Sequence, residues 1–265
     1  MDLEGSTVLL TGASGGIGKA IARALHARGA EALLSARRAG VLEELRAELG
    51  DRARVLEADL AGSAAAAELA ERAGRVDVLV ANAGLPAAGR IGDFTAEEID
   101  RALDVNLRAP VQLAHALLPA MLERGRGHLV FVSSLNGKAS SVRSSLYSAT
   151  KFGLRGFAAG LREDLHGTGV GVTTVFPGFI RDAGMFAESG AKLPPGVGTK
   201  TPEEVAAAVV RGIEEDRAEI DVAPIGLRVG VLAASIAPTT MARVQRRLGS
   251  VVVADSIAEG QKTKR

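Results

Sequence analysis

The chain of 265 residues has no cysteine, no tryptophan and a single tyrosine. Without cysteine there can be no disulfide framework, no thiolate metal site and no cysteine nucleophile. The four histidines, His26, His115, His128 and His166, are scattered without ligand spacing, so no metal is expected. Aromatic residues make up only 3% of the chain, too few for the stacking platforms that hold single-stranded nucleic acid. The net charge of +1 gives no basis for binding nucleic acid or an acidic partner. No apolar run reaches the roughly 18 residues of a membrane span, and the N-terminus lacks the basic flank of a secretory signal. A cytoplasmic protein is expected. The nearest approach to a span is residues 225–237, IGLRVGVLAASIA, which are short and carry Arg228. They read as a buried or interface helix rather than a membrane contact.

What the chain does have is alternation. Short apolar runs at 7–10, 31–35, 53–57, 76–81, 128–134, 170–176 and 219–223 read as strands. Helical patterns lie between them, near 17–28, 40–49, 63–73, 96–123, 145–166 and 202–215. Near-continuous apolar strands separated by helices predict a parallel sheet covered on both faces. The economical architecture is a single-domain, doubly wound α/β fold of the Rossmann type over residues 1–256, followed by a frayed tail at 257–265. Residues 178–201 form the one long irregular stretch, and a loop of this length in a compact domain is usually functional.

The first predicted turn reads TGASGGIG, with Gly12, Ser14, Gly15, Gly16, Ile17 and Gly18. Glycines allow a tight turn and close approach to a pyrophosphate, and the helix that follows offers unpaired N–H groups. The second strand ends in Ala36-Arg37-Arg38. An acidic residue there would bind a ribose hydroxyl, whereas arginine pairs with a phosphate. NADP(H) is therefore favoured over NAD(H). Asp59 is placed to accept from the adenine amino group, and Asn82-Ala83-Gly84 brings backbone close to the cofactor.

Tyr147 and Lys151 stand four apart in YSATK, and Ser134 lies thirteen residues earlier. On a helix the tyrosine and lysine share a face. A phenol has a pKa of about 10, and a neighbouring ammonium is expected to lower it. A serine hydroxyl beside that phenol completes a proton-transfer site for a carbonyl or an alcohol. Pro110 has no N–H, so the Asn106 carbonyl lacks its usual helical partner and is open to water.

Taken in order, TGASGGIG, ADL (with Leu60), ANAG, Asn106, Ser134, YSATK and Pro177-Gly178 resemble the short-chain dehydrogenase/reductase family, 'classical' subfamily, from Thr7 to about Gly178. The resemblance implies Tyr147 as general acid and base, with Lys151 on the nicotinamide ribose and lowering the tyrosine pKa. It also implies Ser134 on the substrate oxygen and Asn106 holding a water that links Lys151 to solvent. Many relatives place a threonine shortly after the Pro-Gly pair. Here the stretch is Phe179-Ile180-Arg181-Asp182, which leaves a backbone contact from Ile180 to the carboxamide. Leu85, Pro86, Leu135, Asn136, Phe179, Met185 and Phe186 are candidates for the substrate pocket. None carries a charge, so the expected substrate is an uncharged small-molecule carbonyl or alcohol. Residues 185–201 are a candidate lid.

Two other readings stand beside this one. A reductase of carrier-bound 3-oxoacyl groups would need a basic docking patch, for which Arg90, Arg143 and Lys192 are available. A non-catalytic NADP(H)-binding regulator would have no need of Asn106, Ser134, Tyr147 and Lys151 together. The resemblance further implies a homotetramer or homodimer built on the helices at 96–123 and 145–166. The segment after 224 is open between an interface of its own and a cover for the cleft.

Overall fold

The computed structural model describes residues 1–194, 196–247 and 250–264, with the side chains of Gln245 and Lys264 outside the description. Seven strands form one sheet, all parallel: β1 (Thr7–Thr11), β2 (Glu31–Ala36), β3 (Ala53–Glu57), β4 (Val78–Ala81), β5 (Gly127–Val132), β6 (Val170–Pro177) and β7 (Glu219–Val222), in the order β3-β2-β1-β4-β5-β6-β7. Each strand follows its predicted apolar run to within a few residues. The order reverses between β1 and β4, and in such sheets ligands bind at the carboxyl ends of the strands at that point.

The helices are α1 (Gly16–Ala27), α2 (Ala39–Leu49), α3 (Ala65–Ala73), α4 (Ala96–Leu103), α5 (Ala109–Arg124), α6 (Ser145–Asp164), α7 (Gly184–Ser189), α8 (Pro202–Glu215), α9 (Ile225–Ile236), α10 (Pro238–Arg247) and α11 (Ser250–Gln261). Side chains alternate across a strand, and the strands divide their apolar residues accordingly. Val8, Leu10, Val78 and Val80 face one layer with Ile21, Leu25, Val205 and Val209 from α1 and α8. Leu9, Leu79, Leu129 and Phe131 face the other, with Leu69, Leu113 and Leu154 from α3, α5 and α6. Both faces of the sheet are thereby covered, which is why its strands read as unbroken apolar runs.

Four stretches differ from the sequence expectation, the first being the irregular stretch 178–201, which holds the helix α7 at Gly184–Ser189. The helix expected over 96–123 is interrupted by a π-helical turn at Asp104–Arg108, where the Ala109 N–H reaches the Asp104 carbonyl five residues back. Pro110, near the start of α5, cannot supply the amide that an α-helical bond to Asn106 needs, so the ladder shifts register. Residues 225–237 do form a helix, but none of its residues is buried. Finally, the expected frayed tail is helical through Gln261, which is 5% exposed, and Lys262–Lys264 add a 3₁₀ turn. Arg265 lies outside the described residues.

Candidate active site

The turn after β1 is held by contacts only glycine permits. Gly12 has φ +68°, and a Cβ there would sit 2.8 Å from the Ala83 Cα and 2.9 Å from the Asn82 Nδ2. A side chain on Gly18 would run into the Gly12 carbonyl, so α1 starts hard against the turn. The Thr11 hydroxyl accepts from the Asn82 and Ala83 amides at 3.1 and 3.0 Å, and Asn82 Nδ2 donates to the Thr11 carbonyl at 3.1 Å. These bonds lock the ends of β1 and β4 together at the switch point. Sequence reasoning did not single out Thr11, although its place at a strand end beside the glycine turn was visible.

Arg38 lies across the turn. Its Nη2 donates to the Ser14 carbonyl at 2.6 Å and its Nε to the Ser14 hydroxyl at 3.3 Å. Arg37 and Arg38 are both exposed. Asp59 accepts from the Ala61 amide at 3.2 Å and lies 3.6 Å from Arg101.

A cleft of about 1040 Å³ runs from this turn across the carboxyl ends of the strands. It is lined by every cofactor and pocket residue named from the sequence except Asn106 and Lys151, which lie behind its wall. Asn106 is 1% exposed. Its side chain clamps the backbone of Leu85, accepting from the amide at 2.6 Å and donating to the carbonyl at 3.0 Å. The π-helical turn thus braces the loop after β4, a side-chain role beyond the carbonyl role expected of it.

Ser134 follows β5. Its hydroxyl accepts from the Asn136 amide at 3.2 Å and faces the cleft. Ser133 is buried, with its hydroxyl donating to the Lys151 carbonyl at 3.2 Å, so it serves the structure. Tyr147, half-buried near the start of α6, packs with Ala87, Ala102 and Leu146 and also faces the cleft. Lys151 is 3% exposed, its Nζ donating to the Val132 carbonyl at 3.0 Å and standing 5.7 Å from the Tyr147 ring centre.

The electrostatics correct one expectation. Burial pushes the Tyr147 phenol up to about 12, with the Ser134 hydroxyl opposing the rise. Burial also pushes the Lys151 ammonium down to about 8. Desolvation dominates at both groups, so the phenol lies above its ordinary value despite the ammonium behind it. At neutral pH the phenol keeps its proton and the lysine stays mainly charged.

The loop after β6 closes over the cofactor end. Ala183 packs so closely on Gly16 that any side chain there would collide with it, and Gly184 rests on Ile17. Ile180 is buried, and its bridge to Lys200 uses the Phe179 carbonyl and the Arg181 amide rather than its own groups. Phe179 and Phe186 pack with ring centres 5.0 Å apart. Arg181 and Asp182 form an exposed ion pair at 3.4 Å.

The far wall of the cleft comes from the C-terminal helices. Leu227 and Val231 of α9, Met241 and Val244 of α10, and Val253, Ala254 and Ile257 of α11 line it. The helices are fastened to its rim: Ser235 Oγ donates to the Lys138 carbonyl at 3.1 Å, Arg143 Nε to Asp255 Oδ1 at 2.5 Å, and Gln261 Nε2 to the Met185 carbonyl at 3.0 Å. The segment thus covers the cleft, one of the two roles open to it. Arg143, counted toward a carrier-docking patch, is committed to this cover.

The family model for short chain dehydrogenase matches residues 6–194. A ketoacyl reductase, HetN, of Nostoc sp. is 35% identical over 261 residues, covering 94% of this chain and 91% of the relative. Dehydrogenase/reductase SDR family member 7B of Xenopus laevis is 36% identical over 258 residues, with 89% and 80% covered. Among solved structures, a closed serine dehydrogenase complexed with NADP+ superposes with a TM-score of 0.75 at 30% identity, covering 83% of this chain and 95% of that one. A short-chain dehydrogenase from Sphingobium yanoikuyae in complex with NADPH gives 0.77 at 29%, with 89% and 95% covered.

Proposed function

The chain belongs to the short-chain dehydrogenase family, and we propose that it is an NADP(H)-dependent reductase of uncharged, apolar carbonyl compounds. The observation that carries this reading is the meeting of Ser134 and Tyr147 in the wall of a cleft whose other walls are a glycine turn and an apolar cover. The cleft fits the cofactor: Gly12, Gly15, Gly16 and Gly18 line it, α1 points its N-terminus at the turn, and Arg38 stands over Ser14. Solved relatives in complex with NADP+ and NADPH support the same choice.

Residues 12–18 would hold the pyrophosphate, and Arg37 and Arg38 the ribose 2′-phosphate. Asp59 and Leu60 would hold the adenine. Asn82, Ala83, Gly84, Pro177, Gly178 and Ile180 would position the nicotinamide end by backbone. When bound, NADPH supplies the hydride. Ser134 holds the substrate oxygen, and Tyr147, protonated at neutral pH, donates its proton to that oxygen. Lys151 keeps a positive charge behind the phenol and favours the phenolate left after transfer. Leu135, Asn136, Phe179, Met185 and Phe186, with the inner faces of α9 to α11, exclude water and set an apolar boundary. None of these side chains offers a fixed charge to an anionic substrate.

Consumption of NADPH against a panel of apolar ketones and aldehydes of graded size, with Tyr147→Phe as control, tests the reading. Oxidation that depends on Tyr147 supports it. NADPH binding with no turnover on any carbonyl would favour a non-catalytic NADP(H)-binding regulator. One relative favours a second reading. HetN is named a ketoacyl reductase, and a 3-oxoacyl chain on a carrier would also fit an apolar cleft. Arg90 and Lys192 remain exposed for docking. Turnover of carrier-bound 3-oxoacyl chains far above that of free ketones would decide for it.

A further inference from the structure

The outer face of the C-terminal cover is unlike the rest of the surface. Along α9, Ile225, Val229, Leu232 and Ile236 are 75%, 60%, 62% and 77% exposed. Their spacing sets them in one stripe. The opposite side of the same helix, through Leu227 and Val231, packs on Leu135, Phe176 and Ala223. Apart from Arg228 and Ser235 the helix is apolar yet only half covered, and exposed stripes of this kind mark interaction surfaces.

Charge identifies the occupant. Residues 222–254 contain Arg228, Arg243, Arg246 and Arg247 and no aspartate or glutamate, in a chain whose net charge is only +1. The flanking acids are engaged already: Asp221 with Lys138 at 2.6 Å and Arg228 at 3.8 Å, Asp255 with Arg143 at 2.5 Å. Arg243, Arg246 and Arg247 are exposed on α10, which packs against α9. A second copy docking by two-fold symmetry would set this acid-free face against itself and oppose arginine to arginine. Apolar side chains on a helix packed against one with exposed arginines that have no acidic partner among the described residues instead match the boundary of an anionic bilayer, where the side chains enter the acyl region and the guanidinium groups meet phosphates.

We propose that the outer face of α9, with the arginines of α10, rests on the surface of an anionic lipid bilayer. The contact is peripheral, since no described helix is long and apolar enough to cross a membrane. The helices that touch lipid on one side line the cleft on the other, so an apolar substrate would reach the site from the membrane.

The test is co-sedimentation of the full chain with phosphatidylcholine vesicles, with and without phosphatidylglycerol. Binding is expected to the anionic vesicles only and is expected to weaken with salt. Changing Arg243, Arg246 and Arg247 together to Glu lowers it by roughly 100-fold. Ile225→Ser, Leu232→Ser and Ile236→Ser together abolish it, with an unchanged melting temperature confirming that the fold persists. A native chain that stays in the supernatant with both vesicles overturns the proposal, and so does equal binding to both. A stripe variant that converts a dimer to a monomer, while vesicle binding is absent, assigns the face to a second copy. None of these readouts needs turnover, so they stand apart from the reaction assigned to the cleft.

Discussion

Around Gly12 the chain is held by short bonds between two adjacent strand ends and by contacts that leave no room for a Cβ. The Thr11 hydroxyl takes two amides from the neighbouring strand end, Asn82 returns a bond to the Thr11 carbonyl, and Gly18 leaves no room for a side chain. In α9 no residue is buried, and the cover as a whole is fastened by a few side-chain bonds at the rim of the cleft. One end leaves no room for added side chains, whereas the other is a wall of apolar side chains fastened at its rim.

The chemistry lies between these ends, and breaking it has the largest expected effect. Tyr147→Phe keeps the ring that packs on Ala102 and Leu146 and removes only the hydroxyl. Turnover is expected to fall at least about 100-fold, the lower end for general acid–base catalysis, with NADPH affinity unchanged. Stopped-flow and binding titrations separate the two quantities. Near-normal turnover would remove Tyr147 from the mechanism.

The amino end of the sheet carries a group that makes stability sensitive to acid. His128 is buried on β5, hydrogen-bonded to the Thr173 hydroxyl at 2.8 Å, and burial pushes its pKa down to about 4 despite nearby Asp216. The Thr173 hydroxyl also lies 2.7 Å from the Arg217 carbonyl, to which it donates, so His128 Nε2 carries the proton toward Thr173. Between pH 6.5 and about 4 the unfolded chain binds a proton that the folded chain refuses. Stability is therefore full above 6.5 and is lost as pH falls through that window, by about 3 kcal/mol at most. Urea unfolding at pH 7 and pH 4.5 measures the loss, and His128→Gln should flatten it. An equal slope in that variant would place the acid sensitivity elsewhere.

Cofactor choice is next in size. Arg38→Ala removes a charge-assisted contact available to the 2′-phosphate. It is expected to raise the KM for NADPH by about tenfold and to leave that for NADH nearly unchanged. Equal effects on both cofactors would mean that Arg38 only braces Ser14.

The same contrast governs what could be read in advance. The strands, the glycine turn and α8 were legible because local rules and the fold agree there. Thr201 and Glu204 cap α8 reciprocally, and Pro202 occupies a position where its missing N–H costs nothing. The pairing of Ser134 with Tyr147 was legible from spacing and from the family resemblance. The cover was not. A mostly apolar helix announces burial without naming a partner, and α9 found one on a single side. The docking of α11 depends on Gly260 passing against the Ser189 carbonyl and on Gln261 reaching Met185, contacts between residues far apart in sequence. The phenol's raised pKa was hidden for a related reason: a four-residue spacing places a charge nearby but says nothing of how dry the site is.

The smallest effect belongs to the cover and tests the division most directly. Asp255→Ala breaks the ion pair with Arg143, whose partners are partly exposed. Such surface pairs contribute little, so a change in KM of at most about fivefold is expected. That change should appear only with substrates long enough to reach α10 and α11. A small ketone held near Ser134 and Tyr147 should keep both its kcat and its KM, because nothing in its path touches the cover. If the small ketone slows as much as the large one, α11 must be positioning the reacting groups through Gln261 and Met185. The separation between a tightly packed glycine turn and a cover fastened at its rim would then fail at that contact.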